Sequence, residues 1–147
     1  MNRISWNEYF LSLAKLVSTR STCPRAFVGA VIVKDKRIIA TGYNGAPAGQ
    51  LHCQDIGCDI VDNHCVRAIH AETNAIAQAA RFGISIEGAT LYYWDSQGRP
   101  PSVCVKCSQL IVASGISIIV TESGEYLSLE VKYGNQKRND IDDKRLS

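Results

Sequence analysis

The sequence lacks the features that mark several protein classes. No apolar run approaches the roughly 18 residues of a membrane-spanning helix, so no membrane association is expected. The first residues lack the long apolar region of a secretory signal peptide, and a cytoplasmic location is the default expectation. Neither sign of charge dominates: 16 basic and 14 acidic residues give a net charge of +2. A dedicated nucleic-acid binder usually has a strong basic bias, so we expect no nucleic-acid partner.

The composition that is present fits one ordinary globular domain. The chain has 147 residues, of which 46% are hydrophobic and 20% charged, and this is enough to form a hydrophobic core. From about residue 132 the sequence turns polar and charged. We therefore predict one domain over residues 1–131 and a polar, flexible tail over residues 132–147.

Hydrophobic periodicity predicts an alternation of helices and strands. The predicted elements are a helix over 5–19, a hairpin of strands over 28–33 and 37–41, a helix over 70–81, a strand over 89–94, a helix over 105–113 and a strand over 116–121. Strands interleaved with helices indicate a central sheet that is covered on both faces. The first strand pair should be antiparallel and the later strands parallel. The sequence therefore predicts an α/β fold with three α/β/α layers and a mixed sheet.

The most specific pattern joins two short motifs, His70-Ala71-Glu72 and the C-V-K-C of Cys104 and Cys107. One imidazole and two thiolates suit zinc and leave its fourth tetrahedral position open for water. Both motifs fall at predicted helix starts, where free N–H groups favour thiolates. With His70 at the start of its helix, Glu72 could contact the water without occupying the metal. The pattern predicts a hydrolytic zinc site with Glu72 as the proton-transferring group.

These residues resemble the zinc-dependent cytidine deaminase superfamily, whose signature is H-x-E followed by P-C-x-x-C. Further segments are similar to deoxycytidylate (dCMP) deaminases, namely S-W-N-E-Y-F (5–10), R-S-T-C-P-R (20–25), V-G-A-V-I-V (28–33), G-Y-N-G-A-P-A-G (42–49) and H-C-V-R-A-I-H-A-E-T-N-A-I (64–76). The resemblance implies a cytidine deaminase-like fold. It also implies hydrolysis of dCMP to dUMP and ammonia, with His70, Cys104 and Cys107 as zinc ligands.

The resemblance further implies where the substrate binds. Asn44 would contact the deoxyribose or base, and the competing interpretation is a turn asparagine in the left-handed conformation. Arg25 would meet the 5′-phosphate, although a surface arginine is nearly as good an interpretation. The backbone N–H near Ala71 would face the ring, and Tyr126 would lie by the nucleotide unless it only packs.

Regulation and assembly are also implied by the resemblance alone. Members of the family bind dCTP as an activator and dTTP as an inhibitor, at a site between subunits of a homohexamer. We associate this allosteric site with the loop Gly42, Tyr43, Asn44 and Gly45. Mg²⁺ could accompany a triphosphate effector.

Four further cysteines stand apart from the first motif pair. Six cysteines without a secretory signal favour metal binding over disulfides. The family often has a second, structural zinc, and Cys23, Cys53, Cys58 and Cys65 could close a tetrahedron that braces the irregular segment 51–66. His64 is an alternative ligand to Cys65. Ordinary buried cysteines are the competing interpretation.

Two departures from the family pattern affect the expected substrate range. Val103 stands where the family usually has proline, and the loop between Trp94 and Cys104 is longer than in the relatives. A wider pocket could admit dCTP, which makes a bifunctional dCMP/dCTP deaminase one alternative. Deaminases of a tRNA adenosine or a free nucleoside are others. A non-catalytic zinc-binding module, in which Glu72 is idle, is the alternative from a different class.

Overall fold

The computed structural model describes residues 2–128, so the predicted tail over 132–147 lies outside the described residues. The elements are α1 (Trp6–Ser18), β1 (Val28–Lys34), β2 (Arg37–Tyr43), α2 (Cys53–Ile56), β3 (Ile60–Val61), β4 (His64–Cys65), α3 (Ala71–Arg81), β5 (Thr90–Asp95), a 3-10 turn (Pro101–Val103), α4 (Val105–Ala113), β6 (Ile118–Thr121) and β7 (Gly124–Leu127). No helix in this part of the chain is both long and apolar enough to cross a membrane.

The central sheet is mixed, as the sequence predicts. Its strand order is β2-β1-β5-β6-β7, and only the β5–β6 pair is parallel because α4 forms the crossover between these two strands. The β1–β2 hairpin turns through Asp35 and Lys36, both with positive φ (52° and 61°). Positive φ at both central residues matches the right-handed twist of the flanking strands.

Helices cover both faces of the sheet and confirm the three-layer prediction. On one face, Phe10 and Ala14 of α1 pack in a buried cluster with Val31 and Tyr92. The other face carries α3 and the larger cluster, whose central members include Ala75, Ala79, Ala30, Ile32, Leu91 and Ile111 of α4. Because α3 presents alanines to the sheet, its backbone can approach the strands closely.

Gly42 on β2 sets how closely α3 approaches the sheet. A Cβ atom placed there would collide with the carbonyl oxygen of Ala71 and the backbone nitrogen of Ala75. Any larger residue at position 42 would therefore push the first turn of α3 away. This contact matters for function because that turn carries the H-x-E motif.

Four short elements were not predicted from the sequence. They are α2, the small β3–β4 hairpin, the 3-10 turn and the edge strand β7. The last predicted strand also begins later than expected, at Ile118, because Ile116 and Ser117 belong to the connection from α4. Ile116 is nevertheless buried in the core, which explains its apolar character.

Candidate metal centre and substrate cavity

The two signature motifs meet at the starts of two helices, as predicted. His70 is the extended N-cap residue of α3 (φ −67°, ψ 153°), and Cys104 is the N-cap of α4 (φ −98°, ψ 108°). The Cys107 N–H donates to Cys104 Sγ at 3.3 Å, and Cys107 Sγ lies 3.1 Å from His70 Nδ1. The ligand atoms of these three residues lie within 4.8 Å of one another. One imidazole and two thiols at this spacing fit zinc.

The backbone before His70 is fixed by the G-Y-N-G loop. Gly45 and Ile69 form a bridge in which each N–H donates to the other carbonyl, at 3.1 and 2.9 Å. Asn74 Nδ2, one turn into α3, donates to the Tyr43 carbonyl oxygen at 2.8 Å. These bonds hold His70 in its extended conformation, which allows its ring to face the start of α4.

Glu72 lies in the first turn of α3 and is almost fully buried, with 2% of its surface exposed. Its Oε2 atom has no hydrogen-bond partner within residues 2–128. Burial raises the pKa of this carboxyl group, while its own backbone N–H and His70 act in the opposite direction. A buried carboxylate oxygen without a protein partner is typical of a group that binds a ligand or a water molecule.

The surroundings of the Cys107 thiol favour its neutral, protonated form. Burial is the main cause that raises its pKa, followed by the negative charge of Glu72. A bound cation would reverse this preference, because a coordinating thiol is deprotonated.

A cavity of about 310 Å³ opens over both motifs. Three residues of the signature motifs line it, His70, Glu72 and Cys104. The predicted substrate contacts Arg25, Asn44 and Ala71 line it as well, and so does His64. The structure therefore brings Arg25, Asn44 and Ala71 to one cavity with the ligand group. Their contact with a substrate stays a prediction.

Asn44 already has two partners in the fold. Its Oδ1 accepts from the Val28 N–H and its Nδ2 donates to the Ala26 carbonyl, both at 2.9 Å. Its φ is not positive, so the interpretation as a left-handed turn asparagine is wrong. The side chain instead ties the loop after β2 to the start of β1, on the wall of the cavity.

Residues of the predicted allosteric loop make contacts within the fold. Gly42 contacts α3, the Tyr43 carbonyl accepts from Asn74, and Gly45 pairs with Ile69. These contacts give the loop a role in the fold that does not depend on an effector. Its role in binding dCTP or dTTP stays a prediction.

Tyr126 is not among the residues that line the cavity. It lies on β7 opposite Ile119 and packs against the larger core cluster, which is the packing alternative stated above. Its hydroxyl is buried and has no partner within residues 2–128. A contact with the nucleotide stays a prediction for this residue, and the cavity geometry gives it no support.

A second group of three cysteines lies beside the cavity. The sulfurs of Cys53, Cys58 and Cys65 are within 4.8 Å of one another, and the Cys53 and Cys65 sulfurs are 3.5 Å apart. All six cysteines of the chain are free thiols. Cys23 and His64 do not belong to this group, but both line the cavity. The structure thus brings together three of the four residues predicted as ligands of a second zinc, and Cys23 lies outside this group.

The thiols of this group differ in acidity. Burial, together with the neighbouring thiols, raises the pKa of Cys53 to about 12. Burial also acts on Cys65, but hydrogen bonds from the backbone at Ala68 and Asp59 outweigh it and lower its pKa to about 7. A thiol that ionises near neutral pH is a good metal ligand.

Sequence reasoning missed two charged residues of the cavity, Asp95 and Arg99. Asp95 ends β5 and is buried, and Arg99 lies in the loop that follows; both line the cavity. The signal was present, since this loop is the segment that departs from the family pattern. Pro100 and Pro101 of this loop also form part of the cavity wall.

Comparison with known proteins agrees with this geometry. The family model of the cytidine and deoxycytidylate deaminase zinc-binding region matches residues 4–123. The chain is 49% identical over 119 residues to ComE operon protein 2 of Bacillus subtilis (strain 168), with 81% of this chain and 60% of that protein covered. It is 43% identical over 131 residues to the deoxycytidylate deaminase of Mycobacterium phage D29, with 82% and 96% covered.

The fold of the chain is also similar to that of a solved deaminase structure. The dCMP deaminase of cyanophage S-TIM5, in complex with dCMP and dUMP, has a TM-score of 0.66 at 30% identity, with 82% of this chain and 83% of that chain covered. The family match includes both zinc-binding motifs and most of the described residues. The chain therefore belongs to the cytidine and deoxycytidylate deaminase family.

Proposed function

We propose that this protein hydrolyses dCMP to dUMP and ammonia in a zinc-dependent reaction. The observation that carries the proposal is the buried Glu72 carboxylate, without a partner for Oε2 within residues 2–128, in one cavity with His70 and Cys104. Two relatives support the substrate. The phage D29 protein is named a deoxycytidylate deaminase, and the cyanophage enzyme was solved with dCMP and dUMP.

Three residues of the site would bind the metal ion, and a fourth transfers protons. His70, Cys104 and Cys107 would hold zinc, which supplies Lewis-acid activation of a water molecule when bound. Glu72 accepts a proton from the attacking water and delivers it to N3 of the cytosine ring. After hydroxide has added at C4, Glu72 takes the proton of the new C4 hydroxyl group and delivers it to the amine. The C4–N bond then breaks, ammonia leaves, and the oxygen stays on C4 as the carbonyl of dUMP.

Burial of the Glu72 side chain limits the access of bulk water to its carboxylate, while His70 on the same cavity is exposed. Glu72 and Ala71 are buried, and the Tyr93 side chain is 6% exposed beside them. In such a setting a carboxylate exchanges protons with the substrate rather than with solvent. The free N–H groups at the start of α3, near Ala71, are placed to donate to the ring carbonyl.

The experiment that tests this proposal is a substrate panel. The purified, zinc-loaded protein is given dCMP, dCTP, CMP, cytidine and deoxycytidine, and the ultraviolet change on deamination is followed. We expect dCMP to have the highest kcat/KM. Deamination of dCTP at a similar rate would favour the bifunctional alternative. No deamination of any of the five would refute a cytosine nucleotide or nucleoside deaminase. It would leave a tRNA adenosine deaminase and a non-catalytic zinc-binding module, which a tRNA substrate then separates.

A second, structural zinc is part of the proposal. Cys53, Cys58 and Cys65 would supply three ligands, and Cys23 or His64 would be the candidate fourth. Support comes from the mutual closeness of the three sulfurs and from the low pKa of Cys65. Elemental analysis should find two zinc ions per chain, and one ion in carefully prepared protein would contradict this part of the proposal.

Regulation, assembly and location rest on the family resemblance. We infer activation by dCTP and inhibition by dTTP through the Gly42–Gly45 loop, with Mg²⁺ accompanying a triphosphate, in a cytoplasmic homohexamer. Sedimentation with and without dCTP measures the assembly, and initial rates at sub-saturating dCMP measure the effector response. A monomer with unchanged rates would contradict this part alone.

A further inference from the structure

The loop after β5 brings a second arginine to the cavity. Arg99 and Arg25 both line its wall. The Arg99 Nε donates to Asp95 Oδ2 at 3.2 Å, where the Asp95 side chain is 2% exposed and that of Arg99 is 46% exposed. The two terminal nitrogens of Arg99 have no partner in the part of the chain that the structure describes. The guanidinium is thus fixed at its inner edge, and its outer donors remain available.

Backbone bonds hold the two arginine-bearing segments together. The Ser96 N–H donates to the Phe27 carbonyl at 2.9 Å, and the Phe27 N–H donates to Ser96 Oγ at 3.0 Å. Gln97 Nε2 donates to the Arg25 carbonyl at 3.0 Å. The Gln97 N–H in turn donates to Asp95 Oδ1 at 2.7 Å. The loop that carries Arg99 is therefore fastened to the segment that carries Arg25.

The acidic and basic side chains of the cavity wall are placed differently. The acidic residues that line it, Glu72 and Asp95, are both buried, and Asp95 is paired with Arg99. Arg25 has no side-chain partner among residues 2–128, so its guanidinium and the terminal nitrogens of Arg99 are both available. Each guanidinium can donate to two oxygens of a phosphate at once.

We propose that Arg99, positioned by Asp95, binds the 5′-phosphate of the substrate together with Arg25 and is a specificity-determining residue of this site. The inference rests on the proposed function, because the base of the nucleotide must occupy the end of the cavity near His70. The competing role for Arg99 is that of a counter-ion, which only neutralises the buried Asp95 carboxylate.

The first test replaces Arg99 with an apolar side chain of similar length. For Arg99→Met we expect the KM for dCMP to rise about 10- to 100-fold, because a charge-assisted contact is lost, with little change in kcat. The kcat/KM for deoxycytidine, which has no phosphate, should stay the same. Arg99→Lys should restore part of the loss, and Arg37→Met on the far edge strand is the matched control. A dCMP KM within about twofold of wild type, or an equal loss on both substrates, would overturn the proposal.

The second test separates phosphate binding from charge neutralisation. Asp95→Ala should raise the KM for dCMP, because Arg99 loses its anchor, and the double variant Asp95→Ala/Arg99→Met should be no better than Arg99→Met. If Arg99 only neutralises Asp95, the double variant would regain the wild-type KM. Should the wild-type protein fail to deaminate dCMP, calorimetric titration with dUMP and deoxyuridine still decides the point. Wild type should then prefer dUMP, and Arg99→Met should lose that preference.

Discussion

Replacement of Asn44 by alanine should destabilise the fold as well as weaken substrate binding. The Asn44 side chain makes two buried hydrogen bonds, to the Val28 N–H and the Ala26 carbonyl. Each buried backbone group left without a partner costs about 1–3 kcal/mol. Two such groups together would cost about 2–6 kcal/mol. The Ser21 hydroxyl also donates to the Ala26 carbonyl at 3.3 Å, and water can enter from the cavity, so we expect the lower half of this range, about 2–4 kcal/mol.

Urea unfolding measures this cost. With a slope of about 2 kcal/mol/M, the middle of the usual range, the midpoint should fall by about 1–2 M at equal zinc loading. Asn63→Gly is a matched control, since Asn63 also lines the cavity, has positive φ (64°) and makes no side-chain bond within residues 2–128. It should stay within about 0.5 kcal/mol of wild type. An unchanged midpoint for Asn44→Ala, with only a raised KM, would refute the structural role.

Two further predictions concern the approach of α3 and the second metal. Gly42→Ala should lower the free energy of unfolding by about 1–3 kcal/mol and lower kcat, because the new Cβ meets the backbone of Ala71 and Ala75. A kcat equal to that of wild type would contradict the close approach of α3 to the sheet. Cys58→Ser should reduce the zinc content from two ions per chain to one while the catalytic ion is retained. Two remaining ions would exclude the three-cysteine group as a site, and the same measurement on Cys23→Ser tests the fourth ligand.

The elements that could be predicted from the sequence are those with strong local signals. The helix α4 has the predicted limits, and α3 begins one residue later than expected because His70 is its extended cap. The V-G-A-V-I-V run is fully buried between two helical layers, which is why it is continuously apolar. The joint placement of His70, Cys104 and Cys107 followed from chemistry at helix starts.

The elements that escaped prediction have little local signal. The strand β7 is short and mostly exposed, and it forms because the sheet edge at β6 offers partners for its backbone. The β3–β4 hairpin turns at Asp62 and Asn63 and adjoins the three-cysteine group, so non-local contacts determine it. Arg99 lies in a loop whose departure from the family pattern is visible in the sequence, but only the fold places it on the cavity that Arg25 also lines.

The central claim is that Glu72 transfers the protons of a zinc-dependent deamination. The most direct measurement is the dCMP deamination rate of Glu72→Gln, with zinc counted in the same sample and Glu8→Gln on the opposite helical layer as the control. We predict a loss of about 10²–10⁴-fold in kcat with the zinc content unchanged. A variant that retains both its zinc and a kcat near that of wild type would contradict the account.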